Sequence, residues 1–191
     1  MRVLLFHPTL LPPRDYGGVE RVLLWLAQGL LERGHSVSVA ALPGSQIPSG
    51  CQLIEVSRQP YSASELNARI PHGTDLIHFM SPLSQEVWEG LDFPAVLTVH
   101  GNAKPGERYP LNSVFLSADH AARHGASQFI FNGIDPSEFL WDPHAPRSDY
   151  LFLSKTQWSV KNLKGAMRMV HQAGGRLRIA GGNRPWGLRS W

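Results

Sequence analysis

The chain has 191 residues, a formal net charge of +3 and a pI near 9.3, with 42% hydrophobic and 17% charged residues. This balance is that of a globular protein with a sizeable core, and it excludes collagen-like and disordered chains. The single cysteine, Cys51, excludes an intrachain disulfide framework and a cysteine-based zinc cage.

The first forty residues predict a strand, a helix and a second strand. Arg2–Phe6 is a short apolar run, typical of a buried strand. A proline-rich loop, His7–Tyr16, and the pair Gly17-Gly18 lead into an apolar stripe of valines and leucines with helical spacing. Ser36–Ala41 partly alternates and predicts the next strand. A strand, helix and strand in this order indicate a parallel sheet.

The alternation of strands and helices continues along the chain. Ser62, followed by Glu65 three residues later, has the pattern of a capping box at a helix start. The elements expected after the first unit are strands at Gln52–Val56, Asp75–Phe79, Ala95–Val99, Ser113–Leu116 and Gln128–Phe131, and helices at Ser62–Ile70, Pro82–Glu89 and Ala118–His124. We therefore predict an α/β fold, a Rossmann-like parallel sheet with helices on both faces.

A domain boundary is predicted at the polar stretch WDPHAPRSD, which holds two prolines and has no periodicity. A strand at Tyr150–Leu153, a helix at Asn162–Gln172 and a strand at Arg176–Ala180 follow it. The predicted organisation is a first domain at 1–140, a linker at 141–148 and the start of a second domain at 149–191. The last segment is too short for a complete doubly wound domain.

Candidate binding residues fall at the carboxyl ends of predicted strands, where open parallel sheets bind ligands. The dinucleotide fingerprint and the P-loop are both absent. Gly17 and Gly18 at a helix start would let backbone N–H groups approach an anion, although a flexible turn explains them equally well. His100 ends a strand and would face the crevice unless it is a structural histidine, and His7 is a weaker candidate of the same kind.

Two further pairs of residues are candidates for chemistry. Lys155 follows a strand and Lys161 sits at the start of the next helix. Their ammonium groups would suit a diphosphate, with a solvated lysine as the alternative for each. His120 and His124 are one helical turn apart and could share a metal ion. No third ligand is placed to help them, and we therefore predict no metal site.

Charge and hydropathy restrict the partners. Lys and Arg are scattered without a run of five, which argues against nucleic acid as a partner. The excess of basic residues is explained by a solvated surface, by an anionic ligand or by contact with an acidic membrane surface. Apolar runs such as Val22–Leu26 are too short to span a bilayer, and the N-terminus lacks the long apolar region of a signal peptide. We expect a cytoplasmic protein, with a peripheral position at the inner face of the membrane left open.

Six runs of sequence occur in a characteristic order. They are YGGVERVLLWLAQGLLERGHSVSVAA, DLIHF, VLTVHGN, FLSADHAARHGA, FIFNGIDPSEF and YLFLSKTQWSVKNLKGAMRMVHQAGGRLRIAGG. In this order they resemble glycosyltransferase family 4, a group of retaining sugar transferases with the GT-B fold. The resemblance covers nearly the whole chain and implies an acceptor domain followed by the start of a donor domain. The E-x7-E motif that the family carries in its donor domain is absent.

The resemblance implies roles for individual positions. Gly17 and Gly18 match the glycine loop that approaches the donor diphosphate, and Lys155 and Lys161 match the basic pair that holds it. Many relatives have Arg as the first of this pair, and Lys replaces its planar fork with a point charge. His100 matches a histidine near the reacting sugar, and it is the catalytic candidate.

The resemblance also implies where the acceptor lies. The turn that precedes the donor domain is matched by Asn132, Gly133 and Asp135. The acceptor, a carbohydrate or a lipid-linked sugar, is expected on the first domain between Pro8–Tyr16 and Asn102–Pro110. The expected cleft residues are Tyr16, Asn102 and Asn132.

The implied reaction is transfer of a sugar, of the hexosyltransferase kind, from a nucleoside-diphosphate sugar to an acceptor hydroxyl with retention. No cofactor or metal is expected, because fixed cations replace the metal. We expect weak or no activity from this chain, because half of the donor site is missing, and self-association through the apolar surface of an unfinished domain. The alternative is a noncatalytic Rossmann-like module that binds a carbohydrate or a partner. An epimerase or dehydrogenase would need the absent glycine fingerprint.

Overall fold

The computed structural model describes residues 1–14, 17–102 and 107–181. The chain divides into two compact units, Met1–Glu138 and a second that begins at Phe139. Tyr16, predicted to line the acceptor cleft, lies outside the described residues. Among the helices that are described, none is long and apolar enough to cross a membrane.

The first unit is built on a six-stranded sheet whose pairings are all parallel, in the order β3-β2-β1-β4-β5-β6. Its strands are β1 (Arg2–Phe6), β2 (Ser36–Ala41), β3 (Gln52–Glu55), β4 (Leu76–Phe79), β5 (Ala95–Thr98) and β6 (Ser113–Val114). The order runs outward in both directions from β1 and β4, so a crevice forms beyond the carboxyl ends of these two strands. The predicted Rossmann-like α/β class is confirmed.

Helices cover both faces of this sheet. They are α1 (Gly18–Glu32), α2 (Ala63–Arg69), α3 (Gln85–Glu89) and α4 (Ala118–Arg123), followed by a 3-10 turn at Pro136–Glu138. Because side chains alternate along a strand, Leu4 and Phe6 of β1 pack in the core beneath α2, α3 and α4. Leu5 lies on the opposite face in a core with Leu23 and Ala27 of α1.

Two predicted elements of the first unit differ from the structure. The strand predicted at Gln128–Phe131 is reduced to one parallel bridge between Phe115 and Phe129, because the segment meets only the end of the short edge strand β6. The helix predicted from Pro82 begins at Gln85. Its N-cap is Ser84, whose side chain accepts a hydrogen bond from the backbone N–H of Val87.

The second unit contains one parallel β-α-β arrangement. It comprises β7 (Asp149–Leu153), a 3-10 turn (Ser159–Lys161), α5 (Leu163–Gln172) and β8 (Arg176–Ala180). Lys161 lies immediately before α5, beside its N-terminus as predicted. Asn162 adopts a left-handed conformation (φ 53°) and its side chain accepts from the backbone N–H of Gly165, so it caps α5 and separates Lys161 from the helix.

Asp149 joins the two strands of the second unit. Its carboxylate accepts two hydrogen bonds from Arg176, the residue opposite it in the ladder, at 2.7 and 2.9 Å. It also accepts one from Arg178. These hydrogen bonds lower the pKa of Asp149 to about 2. Two charged arginine partners thus hold β7 against β8 at their amino ends.

We predict that the second unit loosens in acid. Because the folded-state pKa of Asp149 lies below its ordinary value, its contribution is present above about pH 4 and is lost as the pH falls to about 2. Asp149→Asn removes that contribution at every pH. The protection factors of the β7 and β8 amides, which correct hydrogen exchange for its intrinsic pH dependence, should therefore be lower in this variant at pH 6 and should lose most of their pH dependence below pH 4.

The matched control is Asp142→Asn. Asp142 is exposed and accepts a hydrogen bond from the backbone N–H of His144, which an asparagine oxygen can also accept. It should leave the exchange of both strands unchanged. Equal exchange in the wild type and in Asp149→Asn at pH 6 would contradict the conclusion that Asp149 holds β7 against β8.

Candidate functional site

Three histidines share one face of the sheet, on the strands that flank the crevice. Leu5, His78 and Val96 are aligned across β1, β4 and β5. Side chains two or four residues apart along a strand point to the same face. His7, two residues after Leu5, and His100, four residues after Val96, therefore lie on the same face as His78, which is the face that α1 covers.

Two of these histidines are held by neighbouring side chains. His7 is 7% exposed, with Nδ1 3.1 Å from Oγ of Ser81 and Nε2 3.8 Å from Oε1 of Glu20. Nε2 of His78 lies 2.7 Å from Oγ1 of Thr98 on the neighbouring strand. Both rings are therefore fixed by groups of the protein itself.

His100 differs from the other two. Its Nε2 is buried and has no hydrogen-bond partner in the part of the chain that the structure describes. Burial, and then the proximity of His7 and His78, lower the pKa of His100 to about 4. The ring is therefore a neutral imidazole near pH 7, and one of its nitrogens is buried without a partner among the described residues. A buried polar atom without a partner costs about 1–3 kcal/mol, which a ligand's hydrogen bond would recover.

His100 and Asn132 line the same cavity. It has a volume of about 810 Å³ and lies over the α1 face of β4, β5 and β6. The segment 130–137 forms part of its wall and is tied to α1, because Nε1 of Trp25 donates to Oε1 of Glu138 at 2.7 Å. The cavity combines apolar and polar walls. The polar groups facing it at the crevice end include His78, Thr98, His100, Asn132, Asp135 and Ser137.

The turn at Gly17 and Gly18 begins α1. Gly17 is the N-cap and has no side chain to cap the helix. A Cβ atom at Gly17 would overlap the ring of Pro13 and lie 2.8 Å from Oε2 of Glu20, whereas a Cβ at Gly18 would have no neighbour within 4 Å. Glycine is therefore required by space at the first position only. The carboxylate of Glu20 lies beside this turn.

The other predicted site residues lie elsewhere. Asn102 is exposed and does not line the cavity. Lys155 and Lys161 belong to the second unit, on the connection between β7 and α5. Nζ of Lys155 lies 4.4 Å from the ring centroid of Trp158, which is a cation–π contact.

His120 and His124, the pair weighed as metal ligands, pack against Phe115. The rings of Phe115 and His124 are stacked at 5.2 Å, and the ring of His120 contacts Phe115 edge-on at 5.0 Å. Nδ1 of His120 accepts from the backbone N–H of Leu116 at 3.4 Å. Across residues 1–14, 17–102 and 107–181, no group of three or more His, Cys, Asp or Glu side chains is placed to hold a metal ion.

Three residues of the histidine cluster were missed from the sequence, namely His78, Glu20 and Ser81. A signal for His78 existed in the run DLIHF, because a histidine among alternating apolar residues of a buried strand must point to one particular face. Glu20 and Ser81 carried no comparable signal. They meet His7 only because α1 and the end of β4 both pack beside the end of β1.

Comparisons with known proteins place this geometry in a family. The model of the family described as Glycosyltransferase Family 4 matches residues 16–135. The crystal structure of AviGT4, a glycosyltransferase involved in avilamycin A biosynthesis, is similar with a TM-score of 0.70 and 22% identity, over 92% of this chain and 55% of that one. An alpha-glucosyltransferase in complex with UDP and a 13-mer DNA containing an HMU base is similar with a TM-score of 0.57 and 11% identity, over 97% of this chain and 58% of that one.

At these identities the two structures establish the fold alone, and the chain spans little more than half the length of each. A search of curated proteins gives no significant match.

We predict opposite responses at the two glycines. Gly17→Ala should lower the free energy of unfolding by about 1–3 kcal/mol, because the new methyl group must displace Pro13 or Glu20. Gly18→Ala, at a helical position with open space, should be neutral or stabilising by up to about 1 kcal/mol. Urea unfolding of both variants provides the comparison, and a loss of equal size in both would contradict the steric argument.

Proposed function

The chain belongs to glycosyltransferase family 4, and on that premise we propose that it transfers a sugar from a nucleoside-diphosphate donor to an acceptor hydroxyl with retention of configuration. The observation that carries the proposal is the buried, unpartnered Nε2 of His100 beside a cavity at the carboxyl ends of β4 and β5. Because the chain spans only part of the structures it resembles, we propose that its own rate is low.

His100 is the proposed catalytic residue. A neutral imidazole can accept a hydrogen bond from a sugar hydroxyl or donate one to it, and so it can orient the sugar without adding charge. The anomeric centre becomes positively charged in the transition state of glycosyl transfer, so a neutral ring is better suited there than a cation. Asn132, on the same cavity, is proposed to contact the acceptor, and Asn102 is proposed to border it on the adjoining loop.

The proposed diphosphate site combines cations with a helix start. Lys155 and Lys161 both lie between the carboxyl end of β7 and the N-terminus of α5, so their ammonium groups belong to one short connection. As the sugar leaves, negative charge grows on the diphosphate, and fixed cations stabilise it without reorganisation. For Gly17 and Gly18 in the first unit we propose a backbone contact with the donor. With these cations in place we propose a reaction that needs no metal ion or other cofactor.

The partners proposed for the chain follow from this reaction. They are a nucleotide sugar, of the hexose class, and a carbohydrate or lipid-linked acceptor. The alpha-glucosyltransferase that the chain resembles was solved with UDP, so UDP is the first nucleotide to test here. GDP and ADP complete the set of nucleotides to be compared.

We predict that the two lysines dominate nucleotide binding. Calorimetric titration of the chain with UDP, GDP and ADP should give binding by at least one of them. Lys155→Ala and Lys161→Ala should each weaken it by about tenfold to 100-fold, the range expected for one hydrogen bond to a charged group. A nucleotide that binds the Lys155→Ala/Lys161→Ala double variant as tightly as the wild type would contradict this site.

The matched control for these variants is Lys164→Ala. Lys164 is exposed on α5, a few residues from Lys161, and its replacement removes the same charge from the same unit. It should change the dissociation constant by less than about threefold. The comparison separates binding at the proposed site from general attraction of an anion to a basic chain.

We predict that His100 acts on the rate and not on nucleotide affinity. With radiolabelled UDP-, GDP- and ADP-hexoses and a high concentration of the chain, His100→Ala should lower the rate of sugar transfer by at least about 100-fold. Its dissociation constant for the nucleoside diphosphate should stay within about threefold of the wild type. Equal rates in the two proteins would contradict the role. Nucleotide binding without transfer to any acceptor would favour the noncatalytic module.

A further inference from the structure

His7 is held in one orientation by two different groups. Nε2 faces the carboxylate of Glu20 at 3.8 Å, a distance at which charge attracts but no hydrogen bond forms. Nδ1 lies 3.1 Å from the hydroxyl oxygen of Ser81, within hydrogen-bond distance. The two contacts together set the orientation of the ring.

His7 and the two groups that hold it come from three separate parts of the first unit. His7 follows β1, Glu20 lies in the first turn of α1 and Ser81 follows β4. Backbone hydrogen bonds fix the two strand ends, from His7 to Ala40 at 3.0 Å and from Met80 to Phe6 at 3.1 Å. The ring cannot turn without breaking contacts to α1 and to the end of β4.

His7 also differs in charge from its two neighbours. Burial lowers the pKa of all three histidines, but at His7 the carboxylate of Glu20 opposes the effect. In the described residues no carboxylate opposes it at His78 or His100. The groups that act on His100 are His7 from β1 and His78 from β4. As the pH falls, His7 is therefore the member of the cluster best able to hold a proton.

We propose that His7 is a positioning residue of the transfer site: held by Glu20 and Ser81, it takes the first proton that enters the histidine cluster and so keeps His100 uncharged towards the sugar. The benefit of an uncharged His100 for sugar transfer rests on the proposed function. The effect of charge at His7 on the titration of His100 does not, because it is a property of the chain without substrate.

The test is the titration of His100 in the free protein. With isotopically labelled histidine, the ring signals of His100 are followed by NMR from pH 3.5 to 8 in the wild type, Glu20→Gln and His7→Asn, with His100→Ala used to assign the signal. The amide of Glu20→Gln keeps the shape of the side chain but carries no charge. In both variants the neighbouring cation is lost or formed only at lower pH, so the midpoint of His100 should rise by about 0.5–1 pH unit.

The matched control is His72→Asn. His72 is exposed and lies at the amino ends of the strands, away from the cluster. Its replacement should move the midpoint of His100 by less than about 0.2 pH unit. Near-ultraviolet circular dichroism at pH 7 confirms that each variant is folded. If His7→Asn is not folded, Glu20→Gln alone decides the matter, since it changes charge with little change of shape.

An unchanged or lowered midpoint of His100 in folded Glu20→Gln would overturn the proposal. This result is independent of catalysis, so absence of sugar transfer would contradict the proposed function and leave the titration valid. Where transfer is measured, the acid limb of kcat/KM in Glu20→Gln should move to higher pH by the same amount as the midpoint. A purely structural role for Glu20 would instead change the rate equally at every pH.

Discussion

The pairing of β1 with β4 is the constraint on which the candidate site depends. The chain runs outward through β2 and β3 and then crosses back, so that β4 pairs with the free edge of β1. Residues far apart in sequence thereby become neighbours at the carboxyl ends of adjacent strands. The apolar side chains beneath them, such as Leu5, Ile77 and Leu97, are fully buried and hold the strand ends in place. Without this crossing, His7 and His100 would not lie on a common surface.

The sheet face that carries these histidines is less completely covered by helices than the opposite face. On the opposite face, side chains of β4 and β5 such as Phe79 and Leu97 are almost completely buried beneath α2, α3 and α4. On the α1 face, the intervening residues His78, Val96 and Thr98 remain half-buried and line the cavity. Partial covering removes enough water to disfavour charge on an imidazole while leaving room for a ligand. A cluster of neutral histidines follows from this position in the fold.

Local sequence patterns predicted those features that depend on nearby residues. The capping box of Ser62 and Glu65 forms as expected, because its partners are three residues apart. The strand–helix–strand order of the first unit also followed, since periodicity alone distinguishes these elements. His100 was placed at a strand end by the same reasoning.

Features that depend on distant partners did not follow from local patterns. The contact of Ser81 with His7 joins residues 74 positions apart, and only the register of β1 with β4 brings them together. The segment Gln128–Phe131 has the composition of a strand but meets only the last part of a short edge strand. Tertiary contacts outweighed local propensity in these cases.

The two units differ in the charges that they present. Near its crevice the first unit presents neutral imidazoles, an amide and the carboxylate of Glu20 beside the Gly17 turn. A carboxylate at this position already occupies the favourable end of the α1 dipole and repels an anion, but it accepts hydrogen bonds from hydroxyl groups. The second unit presents Lys155 and Lys161 on one connection. The cations of the proposed diphosphate site therefore belong to the second unit, and the neutral imidazoles of the proposed sugar site belong to the first.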